Sequence, residues 1–142
     1  MTDKLPSDIL NDLKNGQVVP YLGPGALKGV TNLESGEPMP ADSDSLILAM
    51  NNGKPMAPRR MYEFPRAAMD VELKRGRAAL HRFLETTYAD SRWTRATFHD
   101  WLATIKPRYV IDINRDTQLQ DSYADTPHTL IRGIARIGGT DY

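Results

Sequence analysis

Two short stretches hold residues whose types and spacing suit chemistry. In "VVPYLGPGALKG", residues 18–29, an apolar run of Val18, Val19, Tyr21 and Leu22 stops at Gly23-Pro24-Gly25, and Gly29 follows closely. Paired glycines after a strand admit positive φ and leave no Cβ to keep an anion from backbone N–H groups, so such a loop suits a phosphate. A tight turn between two elements accounts for the same residues. In "YVIDINRD", residues 109–116, a second apolar run stops at Asn114-Arg115-Asp116. The amide of Asn114 can donate and accept, which suits a ribose diol or a carboxamide. The carboxylate of Asp116 can accept from an amide or balance a cation. Capping of the next helix by Asp116 is the competing explanation.

The elements that must position these residues follow from periodicity and stop signals. Ser7 is placed to cap a helix with Ile9, Leu10 and Leu13 on one face and Gly16 as its stop. Residues 18–22 read as a short buried strand that Pro20 makes irregular, because proline removes a ladder donor. Residues 28–45 are loop. A helix follows, capped at Asp42 or Ser43, with Leu46 to Met50 apolar and Asn52-Gly53 as the stop. Met61 to Tyr88 is helical and is divided at Pro65 and Gly76. "FHDWLATI" is a helix that buries Phe98, Trp101, Leu102 and Ile105 and ends at Pro107. Residues 109–114 form a second strand, and "RDTQLQDSY" starts another short helix. "HTLIRGIARIGG" is either a helix or a helix and then a strand.

Two short buried strands among helices predict an α/β fold, a Rossmann-like parallel sheet flanked by helices. A mainly helical insertion, residues 43–92, separates the glycine loop from the Asn-x-Asp strand. In such sheets ligands lie beyond the carboxyl ends of the strands, where both loops fall. The two strands are expected to be adjacent or near neighbours, with Gly25 and Asn114 opening on one edge.

Composition narrows the classes. The chain has 142 residues, 40% hydrophobic and 25% charged, which suits one soluble domain. Its formal net charge of +0 gives no global field toward nucleic acid or an anionic membrane, so neither is expected as a partner. There is no cysteine, which removes disulfides, thiolate metal sites and a cysteine nucleophile, and suits a cytoplasmic location. No metal is expected. The first residues, MTDKLPSDIL, lack the apolar core of a signal peptide.

Known phosphate motifs match only in part. Gly23 and Gly25 take the first two places of the dinucleotide fingerprint G-x-G-x-x-G, but Lys28 stands at the third. No Gly-Lys-Ser/Thr of a P-loop follows. Taken together, however, "LKNGQVVPYLGPGAL" and "FHDWLATIKPRYVIDINRD" resemble the SIR2-like, sirtuin-type NAD-binding family. The first is similar to that family's opening helix, strand and Gly-Ala-Gly-x-Ser loop. The second is similar to the helix and strand that carry Thr-Thr-Asn-x-Asp. The likeness spans about residues 8–125.

The resemblance implies that Gly23, Pro24, Gly25, Ala26 and Leu27 form the loop that holds the diphosphate of NAD. It implies that Asn114 holds the ribose hydroxyls or positions water, and that Asp116 meets the nicotinamide carboxamide. Family members deacylate lysine or hydrolyse NAD, through a cationic ribose centre that preorganised dipoles and carboxylates stabilise. The departures are as clear. Pro24 replaces an alanine and Leu27 a serine. Asp112-Ile113 replace the threonine pair, and Arg115 is a cation placed to pair with Asp116. The family's zinc-binding cysteines are absent, which points away from deacylation toward NAD hydrolysis. Its downstream His-Gly pair is absent too, and the single domain of residues 1–142 is expected to be incomplete at its C-terminal end.

Three histidines are available. His81 reads as a surface residue, and His99 as a packing or capping residue at a helix start. His128, in a turn after Pro127, is the one substitute base, although a turn histidine needs no function. Residues 54–82 carry eight Lys or Arg against three Asp or Glu, which reads as a solvated helical face. Two functions are therefore carried forward. One is an NAD- or ADP-ribose-binding enzyme using Asn114 and Asp116. The other is a non-catalytic nucleotide-binding domain, or one that contacts a protein partner or a second copy of itself.

Overall fold

The computed structural model describes residues 5–131, 136–137 and 140–141. The chain opens with α1 (Ser7–Asn15) and passes through β1 (Tyr21–Leu22) into a 3-10 turn, Pro24–Leu27. Four helices follow, α2 (Ser43–Met50), α3 (Pro58–Met61), α4 (Phe64–Arg75) and α5 (Arg77–Glu85), closed by a π-helical turn, Thr86–Asp90. Next come α6 (Thr97–Ile105), β2 (Ile111–Asp112) and α7 (Gln118–Ser122). A small antiparallel pair, β3 (Arg136–Ile137) and β4 (Thr140–Asp141), ends the described chain.

Local chemistry sets most boundaries. Gly16 stops α1 in the left-handed region, with φ 76°. Pro6 holds the N-cap of α1 without a side-chain bond, so Ser7 is its first residue rather than its cap. Asp42 does cap α2, its side chain accepting from Ser45 N at 2.8 Å. Pro65 sits in the first turn of α4, where its missing N–H costs nothing, and Gly76 separates α4 from α5. Between Pro127 and Ile131 the chain is free of helix and strand, and Leu130 and Ile131 are exposed, so no helix begins at His128. Residues 132–135 lie outside the described residues.

β1 and β2 pair in parallel, Tyr21 against Ile111 and Leu22 against Asp112. The strands are shorter than the apolar runs that announce them. Backbone bonds from Ile111 N to Pro20 O (2.9 Å) and Ile113 N to Leu22 O (3.1 Å) continue the pairing. Pro20 needs no N–H there, because it serves the ladder through its carbonyl. Where the sequence reading expects a Rossmann-like sheet, the described residues hold one pair of parallel strands in a helix-rich fold.

Among the described residues the apolar interior forms two clusters. One joins Leu46, Ile47 and Met50 of α2 to Phe64, Ala67, Ala68 and Val71 of α4. The other, Leu27, Val30, Met39 and Ala96, lies under the 3-10 turn. Tyr88 packs against both and donates its hydroxyl to Pro40 O at 2.6 Å. On α6 the buried stripe is His99 and Leu102, while Phe98 and Trp101 lie half-exposed, their rings 5.4 Å apart. The stripe is therefore one residue away from the one the aromatic side chains suggest. Among the described residues, no helix is long and apolar enough to cross a membrane.

Candidate functional site

Parallel pairing brings the carboxyl ends of β1 and β2 together, and with them the two loops. Asn114 Nδ2 donates to Gly23 O at 3.1 Å and to Asp112 Oδ1 at 2.9 Å. Asn114 N donates to the same Asp112 oxygen at 2.9 Å. Both neighbours of the amide nitrogen are acceptors, which fixes the orientation of the amide. Its donors are committed to the protein, so what Asn114 has left to offer is the acceptor Oδ1.

The glycine loop has an informative backbone. Gly16, Gly29, Gly36, Gly53 and Gly76 hold positive φ, where other residues are strained, but Gly23 and Gly25 do not. Gly23 has φ −105°, and a Cβ built on either residue meets nothing within 4 Å. Neither internal crowding nor backbone strain explains these two glycines. What the missing side chains leave is an open approach to the backbone of the turn. Pro24 and Gly25 are exposed, and Ala26 is half-buried. Leu27 turns inward and anchors the turn in the second core cluster, so it shapes the loop from beneath.

Asp116 is 9% exposed. Its Oδ2 accepts from Gln118 N at 2.8 Å at the start of α7, which is the capping-type bond weighed from sequence. Its Oδ1 is buried without a hydrogen-bond partner. Burial raises the Asp116 carboxyl above the usual carboxylate range; the Gln118 amide opposes the rise and the nearby Asp112 charge adds to it. One oxygen thus organises the chain and the other is left over. Arg115 does not occupy it. Its guanidinium lies over the Phe64 ring, 4.6 Å from the centroid, and so reaches from the Asn-x-Asp loop to the insertion.

His128 stands apart in its contacts. It is exposed, its Nδ1 is 2.8 Å from Thr126 O, and its ring lies against Tyr123. His81 lies on the surface 3.6 Å from Glu85. His99, read from the sequence as a packing or capping residue, is packed, and its two polar atoms go in with it. It is fully buried, neither ring nitrogen has a hydrogen-bond partner, and Nε2 lies 3.9 Å from Asp112 Oδ2. The signal that could have found it is a histidine in the helix that leads straight into the strand bearing Asp112.

Two other polar clusters are internally matched. A hollow of 270 Å³ on the insertion is lined by Arg60, Asp70 and Lys74, but Asp70 already pairs with Arg60 at 3.1 Å and with Lys74 at 2.9 Å. Arg95 is held by Asp100, Gln118 and Ser122, which ties α6 to α7. Among the described residues no group of three or more His, Asp or Glu is arranged to hold a metal ion. Comparison with protein-family models, with curated proteins and with solved structures finds no match to this chain.

Proposed function

We propose that the two loops form a nucleotide site of the SIR2-like kind, on a Rossmann-like edge, that takes the ribose and diphosphate of NAD or ADP-ribose. The observation that carries this reading is the bond from Asn114 Nδ2 to Gly23 O, which locks the Asn-x-Asp loop to the glycine loop at the carboxyl ends of the paired strands. The open backbone at Gly23 and Gly25 supports a phosphate there. The acceptor left on Asn114 suits a ribose hydroxyl. The unpartnered Oδ1 of Asp116 is an acceptor of the kind a carboxamide N–H needs, reached only if the site opens to uncover it.

Gly25→Val is the decisive variant. Its backbone tolerates a side chain and its surroundings have room, so the fold should survive, while the branched Cβ blocks the approach of a phosphate. Calorimetry and thermal shift with ADP-ribose, NAD and NADH should show binding by the unmodified protein and none by Gly25→Val. Ligand at 100 times its Kd should stabilise the unmodified protein by about 2.7 kcal/mol. Absence of ADP-ribose binding at millimolar ligand overturns the assignment.

Turnover of NAD by this chain is expected to be slow or nil. The downstream His-Gly of the resembled family is missing, and general-base assistance typically supplies about 10² to 10⁴-fold. Nicotinamide release should be compared for the unmodified protein, Asn114→Ala and His128→Ala. Robust turnover lost on His128→Ala with the fold intact would give that residue the base's role. A second reading, a non-catalytic domain that docks a protein partner, draws on the apolar residues Tyr21, Ile111 and Ile113 exposed on the paired strands.

A further inference from the structure

We propose that His99 is a positioning residue for Asn114, its imidazole Nε2 facing Asp112 Oδ2 so that the other oxygen of that carboxylate holds the Asn114 amide. The buried ring is otherwise hard to account for. A wholly buried donor and acceptor without hydrogen bonds is destabilising, and an apolar residue such as Leu102, one turn further along α6, fills the same layer without that cost. What the imidazole adds over an apolar residue in that place is its nitrogens.

The geometry names a partner for Nε2. Asp112 uses Oδ1 twice, accepting from the backbone and side-chain nitrogens of Asn114, both at 2.9 Å. Its Oδ2 faces His99 Nε2 at 3.9 Å, an ion-pair distance longer than a direct hydrogen bond. Closure by about 1 Å brings the pair to N–H···O range. A carboxylate held at both oxygens cannot rotate, so the amide it grips keeps its own oxygen aimed away from Gly23. The charged groups acting with the ring are Asp100 on its own helix, Asp112 on β2 and Asp116 beyond it. Asp100 is already paired with Arg95 at 2.6 Å, which leaves the two site carboxylates to His99.

That the aimed oxygen receives a ribose rests on the nucleotide reading; the hold on Asn114 does not. The test separates them. In ¹⁵N-labelled protein without ligand, the Asn114 side-chain NH₂ signals report the hold directly. His99→Phe should move and broaden them. Gln places its amide nitrogen near the position of Nε2, and Asn places its own near Nδ1. His99→Gln should therefore restore the signals and His99→Asn should not, a contrast that a purely structural role does not produce and that stands even if His99→Phe fails to fold. Equal behaviour of the Gln and Asn variants overturns the proposal, as do unchanged Asn114 signals in folded His99→Phe. With ADP-ribose as the probe, affinity should fall about tenfold in His99→Phe and recover in His99→Gln, the scale of one hydrogen bond. No ADP-ribose binding by the unmodified protein, together with an intact Gln–Asn contrast, defeats the nucleotide reading alone.

Discussion

α2 and α4 seal Leu46, Ile47 and Ala67 completely from solvent, whereas the paired strands leave Tyr21 65% and Ile111 48% exposed. The two regions spend their apolar residues differently because their backbones differ in what they need. A helix satisfies its own N–H and C=O groups, so α2, α4 and α5 need only one another to hide a face. A parallel pair has open edges and is normally covered on both faces, and two strands alone are marginal. Here the pair is held by polar ties at its ends: Arg108 N to Leu13 O (2.9 Å), Ile113 N to Leu22 O and the Asn114 amide. The insertion is built for stability. The strand ends are built to hold two loops in register.

The largest expected effect falls in the insertion. Leu46→Ala should cost about 2–5 kcal/mol in urea unfolding, the range for a fully buried leucine whose cavity cannot collapse. A loss below about 1 kcal/mol would mean that this cluster is not the main core. Next comes the link between the regions. Tyr88→Phe removes the bond to Pro40 O and should cost about 1 kcal/mol. Burial raises the Tyr88 phenol to about 12, so it should stay unionised in spectrophotometric titration well past the usual tyrosine range.

Acid should act on the two regions with opposite signs. Asp116 has a raised folded pKa, so the native state binds its proton more tightly, and its unfavourable contribution grows as pH rises from the unfolded pKa through the folded one. Asp116→Asn keeps an oxygen for Gln118 N and should raise the melting temperature at neutral pH, with the gain vanishing at low pH. On the insertion, the hydrogen bond from Lys74 lowers Asp70, with Arg60 assisting. Its stabilising contribution is complete above the unfolded pKa and is lost as pH falls through the lowered one. Asp70→Asn should therefore lower the melting temperature at neutral pH, and the deficit should close on acidification. Matching pH profiles for the two variants would erase the distinction. The smallest effect is expected at Ile111→Thr, within about 0.5 kcal/mol, because an exposed β-branched strand residue is exchanged for another.

The residues that bring the loops together were legible because strand ends and glycines are local signals. "VVPYL" and "YVIDI" each stop on polar or glycine residues, and the two pair as neighbouring parallel strands. Gly76 and Asp42 are equally local, a helix break and a cap. What escaped depends on distant neighbours. Phe98 and Trp101 outweigh His99 in hydropathy, yet α6 buries the histidine, whose Nε2 lies 3.9 Å from Asp112 on β2. That neighbour belongs to a separate element, which the periodicity of α6 alone does not register. Arg115 escaped in the same way: its partner, the Phe64 ring, lies on the insertion rather than on the adjacent Asp116.

The bond that joins the loops spans a sequence separation of 91 residues, from Gly23 to Asn114. Closing a flexible loop of that length costs roughly 4 kcal/mol, by (3/2)RT ln n, before any strand bond forms. The insertion lies entirely within this loop, and its contacts between neighbouring helices are local. Once folded, it draws the two strand segments together and shortens the search. Folding should then run from the insertion outward, with the strands zipping last. Leu46→Ala should chiefly slow refolding, whereas Asn114→Ala should chiefly speed unfolding, so the two arms of a chevron plot would divide between the two regions.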